Sequence, residues 1–578
     1  SRKATPRIIA QMEIRLANKS ARPQTLTPEH RNPNMSKTTD LTRRQWMQAT
    51  TALGMSALSM TPGSVLAAAG EALPEPLDVG GKLELAVDPR WIDSLEGLQL
   101  TPHAPVPREV VLKNPGVRDD DRNSWEYLYG YLSVMKDGDI YRMYYRHVQP
   151  SSDHDGHEFS CYAESTDAIH WTKPDLGLFT IPNSEDGNAI AEENRVHPDD
   201  DDSEHFPCIS HNMRPFVDTR PDVPASERFK ALGGGFNSSR RPAGYWALVS
   251  QDGIHWKKLR KQWVIDRSNW PHGSDSTPAC AFWSEAEGQY VAYIRIRVNP
   301  ANPSEGKVRG LRWIGRLTSD DFVHWSKVTP MRPLDTDLDV GKIADRPVHF
   351  YTNETQPYFR NRQLLIATPT RYFVGTVFSD EQLAEMSPEM QHHQRESSVG
   401  YTDAMLLTTR PGQLFYHQPF AEAYLRPGLN ILNWGNRSTY PFVRFVPTGE
   451  AEMSQFVQHG RGTFAYVQRY SLRTDGFVSV RAPLAGGELL TRPLKFDGRQ
   501  LVINYSTSGA GSVRVEIQDQ QGTPLPGYTL DDAVRHVGDA IEQVVNWNSG
   551  SDLSRIKDQP IRLRIAMHDA DLYSFRFA

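Results

Sequence analysis

Three cysteines in 578 residues are too few for a disulfide scaffold or a Cys-rich zinc module. Nowhere does an apolar run approach the ~20 residues of a membrane-spanning helix. The P-loop, dinucleotide fingerprint, H-E-x-x-H and G-x-S-x-G patterns are all missing. Positive charge is outnumbered outside the N-terminus: residues 1–48 hold ten Lys/Arg against three Asp/Glu, while the whole chain carries −6, leaving about −13 on the rest. So acidic a body is unsuited to gripping a phosphate backbone, and nucleic acid is excluded as a partner. Cys161, Cys208 and Cys280 are odd in number and sit in apolar or strand-like stretches, so buried free thiols are expected.

Turn formers and aromatics are plentiful instead. The chain has 41 Gly and 41 Pro beside 13 Trp, 22 Tyr and 22 Phe, a composition that leans towards an all-β protein with many turns.

Residues 1–70 read as a leader. Thr42-Arg43-Arg44-Gln45-Trp46-Met47-Gln48 resembles the twin-arginine motif of bacterial Tat export, and the uncharged, mildly apolar Ala49–Met60 suits a signal h-region. Small residues around Val65–Ala69 offer a cleavage site, and Met35 is a candidate start. The expected location is the periplasm or the cell exterior, with no membrane attachment after cleavage; the alternative is an unstructured arm with a chance Arg pair.

The body carries a repeat. Ser165-Thr166-Asp167-Ala168-Ile169-His170-Trp171 recurs as Ser250-Gln251-Asp252-Gly253-Ile254-His255-Trp256 and as Ser319-Asp320-Asp321-Phe322-Val323-His324-Trp325. Weaker copies are Thr409-Arg410-Pro411-Gly412 and Arg473-Thr474-Asp475-Gly476-Phe477. Alternating aromatic strands precede each copy, as in Tyr131–Tyr145, where Lys136-Asp137-Gly138-Asp139 has hairpin chemistry. Short antiparallel strands in five repeated units predict a five-bladed β-propeller, with a long β-sandwich array as the alternative. Residues 71–485 are assigned to the propeller with its lead-in. Residues 486–578, a run of alternating strands with a charged helix-like piece near 531–545, are expected to form a C-terminal β-sandwich.

Innermost strands of a propeller converge on one channel, so the polar residues that open each unit face one another. The openings supply Trp125 and Glu126, then His211, Asn212 and Arg214, then Asp275, then Glu354, and finally Trp434, Asn436 and Arg437. Glu126, Asp275 and Glu354 are the candidate catalytic carboxylates. Glycosidic cleavage needs one protonated carboxylic acid and one ionised carboxylate, and crowding carboxylates pushes their pKa values apart. Trp125, His211, Asn212, Arg214, Trp434, Asn436 and Arg437 are the candidate sugar-binding residues. The acidic run Asp199–Asp202 reads as a solvated loop, and no metal ligands are assigned.

Thr318-Ser319-Asp320-Asp321-Phe322-Val323-His324-Trp325 resembles the T-S-x-D-[LF]-x-x-W turn of five-bladed propeller glycosidases, the superfamily of glycoside hydrolase families 32 and 43. Cys161–Ser165, His211–Thr219, Tyr351–Pro357 and Leu472–Val480 look like segments of an uncharacterised bacterial group, common in planctomycetes and described as family 32-like or 43-like. The likeness runs from about residue 95 to the end. It implies a glycoside hydrolase acting on a carbohydrate, and with the twin-arginine segment an exported one; no cofactor is assigned. Channel calcium, which some members hold, stays open. Family 32's W-[ML]-N-D-P-N-G, R-D-P and E-C motifs are missing, so no catalytic residue is carried over from them. A non-catalytic carbohydrate-binding propeller, a glycoside phosphorylase using Arg214 and Arg437, and a uronate lyase or epimerase using His211 remain as alternatives.

Overall fold

The computed structural model describes residues 75–113, 127–149, 157–178, 196, 209–210, 212–235, 244–272, 279–307, 310–332, 342–343, 346–375, 378–385, 391, 400–435, 438–460 and 465–578. The expected leader, residues 1–70, lies outside them. The described part is almost wholly β, as the aromatic- and turn-rich composition predicts.

Successive stretches of chain build antiparallel sheets of one design. In the first sheet Tyr127–Asp137, Ile140–Gln149 and His157–Ser165 pair in order, and the hairpin turns at Gly138 with φ 61°. The second orders Arg214–Val217, Phe229–Gly234, Tyr245–Ser250 and Lys257–Lys258. The third orders Cys280–Ser284, Gln289–Asn299, Leu311–Ser319 and Thr329–Pro330. In the fourth, Gln356–Tyr358, Asn361–Ala367 and Leu407–Thr409 pair, and Arg346–Phe350, Thr370–Phe373 and Tyr401–Ala404 pair beside them along the same chain segments. The fifth sets Thr439–Pro441 and Val446–Pro447 on Glu452–His459, which pairs with Tyr466–Arg473. Its outermost strand, Val106–Lys113, arrives from more than 350 residues upstream. Phe229–Gly234 and Tyr245–Ser250 are buried along their whole length, as strands covered on both faces must be.

The repeated motif sits at the end of the third strand of every sheet, and its hydrogen bonding explains its sequence. The Asp252 carboxylate accepts from the backbone N–H of Ile254 and His255, both at 2.8 Å, and from His255 Nδ1 at 2.7 Å. Ser250 Oγ accepts from Gly253 N at 2.9 Å, and Trp256 Nε1 donates to Gly253 O at 2.9 Å. Asp167 and Asp321 make the same set of bonds. The left-handed residue is Ala168 (φ 63°), Gly253 (φ 80°) and Phe322 (φ 68°), so glycine is present in only one of the three strong copies.

Motif aromatics pack each sheet on its predecessor. Trp256 meets Tyr144 of the first sheet, Phe322 meets Phe216 of the second, and Tyr416 meets Tyr293 of the third. Phe477, at the end of the fifth, meets Tyr358 of the fourth. Trp171 of the first sheet packs edge-on against Phe456 of the fifth, at 5.6 Å.

The C-terminal strands join a single ten-stranded hydrogen-bonded sheet that includes residues from the lead-in. Leu77–Gly80 pairs with Leu494–Phe496, Ile92–Glu96 with Gly487–Thr491, and Gln99–Pro102 with Val478–Ala482. Glu84, fully buried, fixes this segment to the fourth sheet through Arg410 at 2.7 Å. The expected helix-like piece near 531–545 is corrected: turns lead into the strand Asp539–Val544, which pairs with Leu501–Asp519. A free strand edge next to a buried apolar face outweighs the helix propensity of a short charged segment. Cys161 and Cys280 are buried free thiols, and Cys208 lies outside the described residues. Among the described residues, no helix is long and apolar enough to cross a membrane.

Candidate functional site

Glu354 occupies a break in the first strand of the fourth sheet, between Arg346–Phe350 and Gln356–Tyr358. Its backbone is left-handed at φ 47°, a strained conformation for a residue with a long side chain. Its neighbours hold the break in place. Asn353 Oδ1 accepts from Thr355 N at 3.1 Å, while its Nδ2 donates to Tyr293 O of the third sheet at 3.2 Å. Thr355 Oγ1 meets the Tyr416 hydroxyl at 2.6 Å.

Both Glu354 oxygens are engaged. Oε1 accepts from Arg214 Nη2 at 2.7 Å and Oε2 from Thr352 Oγ1 at 2.5 Å. Neither member of the ion pair reaches solvent, with side-chain exposures of 0% for Glu354 and 2% for Arg214. Burial raises the Glu354 carboxyl above its ordinary value, against the pull of Arg214 and Thr352. Arg214 stays charged and also donates Nη1 to Cys280 Sγ at 3.0 Å. Burial pushes the Cys280 thiol up to about 11, so it is no nucleophile at neutral pH.

Of the residues expected from the sequence, the structure brings Arg214 and Glu354 into contact. Asn212 is buried nearby in chain, left-handed at φ 65°, accepting from Arg146 Nη1 and donating to Gly234 O, both at 3.3 Å. Trp434 closes the short helical turn Ile431–Asn433 and donates Nε1 to Gly428 O at 2.8 Å, leaving its half-buried ring as a surface. Trp125, Glu126, His211, Asp275, Asn436 and Arg437 lie outside the described residues. No group of His, Cys, Asp or Glu that could hold a metal gathers among the described residues.

The first strands of all five sheets border one cavity of about 330 Å³, lined among others by Lys136, Arg214, Cys280, Gln356 and Arg444. The sequence reading did not single out Arg444 or Gln356. Arg444 is left-handed at φ 89° and donates Nη1 to Ser133 Oγ at 2.6 Å and Pro215 O at 3.0 Å, tying the fifth sheet to the first and second. Burial lowers its pKa to about 10. A polar residue amid Phe442-Val443-Arg444-Phe445 was the only sequence signal available.

No protein-family profile matches the chain, and no curated protein does. Several solved structures are similar to it. A glycoside hydrolase superposes with a TM-score of 0.40 at 10% identity, over 64% of this chain and 92% of that one. A fructofuranosidase from Schwanniomyces occidentalis complexed with fructosylnystose does so with 0.35 at 10% identity, over 81% and 96%. A β-1,2-mannobiose phosphorylase from Listeria innocua gives 0.37 at 8% identity, over 64% and 96%. At these identities and TM-scores, neither family nor activity is carried over from any of them.

Proposed function

We propose that the protein is an exported glycoside hydrolase that cleaves a poly- or oligosaccharide with carboxylate chemistry in the channel of a five-bladed β-propeller, followed by a C-terminal β-sandwich. The cyclic order of sheet contacts supports the propeller: each sheet packs on the one before, and the first returns to the fifth through Trp171 and Phe456. The two-layered sandwich is supported by the long strand Leu501–Asp519, buried towards both ends, with residues 508–510 exposed at a register irregularity between Thr507 and Ser512. Export rests on the Arg43-Arg44 motif and the apolar stretch behind it.

The single observation that carries the catalytic reading is the buried Glu354–Arg214 pair on strained backbone, where the strands converge. Taking two charges out of water and holding a Glu at positive φ both cost free energy, and such costs concentrate at functional sites. With both oxygens occupied, Glu354 takes the part of the third carboxylate. It sets the field felt by the other two and fixes Arg214 in the cavity wall. Glu126 and Asp275 are then the acid and its ionised partner. The full burial of Glu354 also favours a second reading, a non-catalytic carbohydrate-binding propeller.

The test is glycan cleavage by the full chain over a broad plant and algal polysaccharide panel, with and without phosphate, beside Glu126→Gln and Asp275→Asn. Reducing sugar released by the parent and lost in both folded variants supports the hydrolase. Cleavage that requires phosphate identifies a phosphorylase instead. Binding without turnover in parent and variants alike establishes the binding module.

A further inference from the structure

The cavity reaches from the openings of the inner strands, at Arg214, Cys280 and Gln356, to the far ends of others. It is bordered by Lys136 and Gly138 where the first strand of the first sheet ends, by Thr219 beyond the second, and by Pro447 in the fifth. Arg214 and Thr355 also line it, so the cavity adjoins the site proposed for carbohydrate; the features that follow, Gln356 and Arg444, are not part of that proposal.

Its lining is cationic. Among the described residues, Lys136, Arg214, Arg362 and Arg444 face it against one carboxylate, Asp137, which is already bound by Arg142 and Arg228. Glu354 neutralises Arg214, and Glu285 lies 2.8 Å from Arg362. Arg444 has neutral oxygens as its hydrogen-bond partners and no carboxylate among the described residues. Arg214 and Arg362 both press on it electrostatically.

Gln356 adds an independent observation. This cavity-lining residue is only 3% exposed, yet neither its amide nitrogen nor its amide oxygen has a hydrogen-bond partner among the described residues. A buried amide left unpaired is costly, and an amide aimed into a cavity is satisfied by a partner that enters that cavity. That partner must both accept from Nε2 and donate to Oε1. The Nε of Arg214, also buried, is likewise unpaired and calls for an acceptor.

We infer that this cavity binds a phosphate group, as inorganic phosphate or the end of a phosphate monoester, held by Gln356 and Arg444 with Lys136 at the mouth. A hydrogen phosphate ion supplies several acceptor oxygens for the guanidinium and ammonium groups and one O–H for Gln356 Oε1. Sulfate matches the charge and shape but offers no O–H donor at neutral pH, so it is the weaker ligand; a monoester keeps its O–H only below its second pKa of about 6, so its binding should strengthen as pH falls towards that value.

Isothermal titration and thermal unfolding of the full chain test this with inorganic phosphate, glucose 6-phosphate, sulfate, and chloride at matched ionic strength. Saturable phosphate binding is expected, with sulfate weaker and chloride without effect. Tighter glucose 6-phosphate binding would identify a monoester as the ligand, and tighter inorganic phosphate the free ion. Gln356→Leu should fold, because it replaces an unpaired amide by an apolar group of similar size, and should weaken phosphate at least about tenfold. Lys136→Ala, at an exposed position, should weaken it less. Absence of saturable binding to the parent chain, or equal affinity in Gln356→Leu, overturns the inference.

Discussion

Asp475 Oδ1 accepts a 2.6 Å hydrogen bond from the hydroxyl of Tyr358, joining the motif at the end of the fifth sheet to the first strand of the fourth. The other oxygen takes Arg360 Nη1 at 2.5 Å, Ser574 Oγ at 2.7 Å and Asn504 Nδ2 at 3.1 Å. One buried carboxylate thus fastens the repeat to the ten-stranded C-terminal sheet. Asp475→Ala would leave four donors without their acceptor, one of them charged. A loss of about 3–5 kcal/mol is expected in urea unfolding. A loss below about 1 kcal/mol would show the junction to be held by apolar packing alone.

The turn motif gives a second prediction. Asp252→Ala removes the acceptor of two backbone N–H groups and of His255, a change comparable to losing a helix cap. It should cost about 1–2 kcal/mol, most of it from the backbone bonds, because the exposed His255 contact is screened by solvent. His255→Ala, measured in the same assay, should therefore cost much less than Asp252→Ala.

His459 sets a pH dependence. It is fully buried between Ser438 O, 3.2 Å from Nδ1, and the Tyr470 hydroxyl, 2.8 Å from Nε2, with the Tyr466 ring beside it. Burial lowers its pKa from 6.5 to about 4. The unfolded chain takes up a proton near pH 6.5 that the folded protein refuses, so this contribution is complete above that pH. It is lost as pH falls from 6.5 towards 4, by up to about 3 kcal/mol. Unfolding free energies at pH 7, 6 and 5 should fall more steeply for the parent than for His459→Gln. Parallel slopes would mean that His459 does not carry the effect.

Glu354 and Arg214 should behave as a unit. Glu354→Gln leaves a buried guanidinium uncompensated and should cost about 3–5 kcal/mol, whereas Arg214→Met with Glu354→Gln should recover a large part of that loss. Glycan cleavage should fall by about a hundredfold or more in both, because the double variant restores packing without restoring the field. Activity recovering along with stability would make the pair a structural element only.

What could be read in the sequence was what local chemistry writes there. Ser250, Asp252 and Trp256 bond within seven residues of one another, so the motif survives as a visible repeat and marks the end of each third strand. Arg214 and Glu354 were visible as polar residues opening apolar strands. Their contact was not, because it spans 140 positions and depends on how the sheets converge. The pairing of Val106–Lys113 with Tyr466–Arg473 left no trace in either segment, since any alternating strand satisfies an open edge. Gln356 escaped notice because its significance lies in the partners it lacks. The weak fifth copy of the motif now has a reason: the outer strand of that sheet comes from upstream, and the chain after Arg473 leaves for the C-terminal sheet.

That borrowed outer strand has a consequence for biosynthesis. Val106–Lys113 leaves the ribosome early but cannot find its partner until Tyr466–Arg473 has also emerged, some 350 residues later. At about 5–20 residues per second, the strand waits for roughly twenty seconds to over a minute with its pairing edge open, during which the first four sheets can form. The final closure is therefore a long-range step of the kind that slows folding. The waiting strand is mostly exposed even in the folded protein, so what lies open meanwhile is a row of backbone groups and little apolar surface.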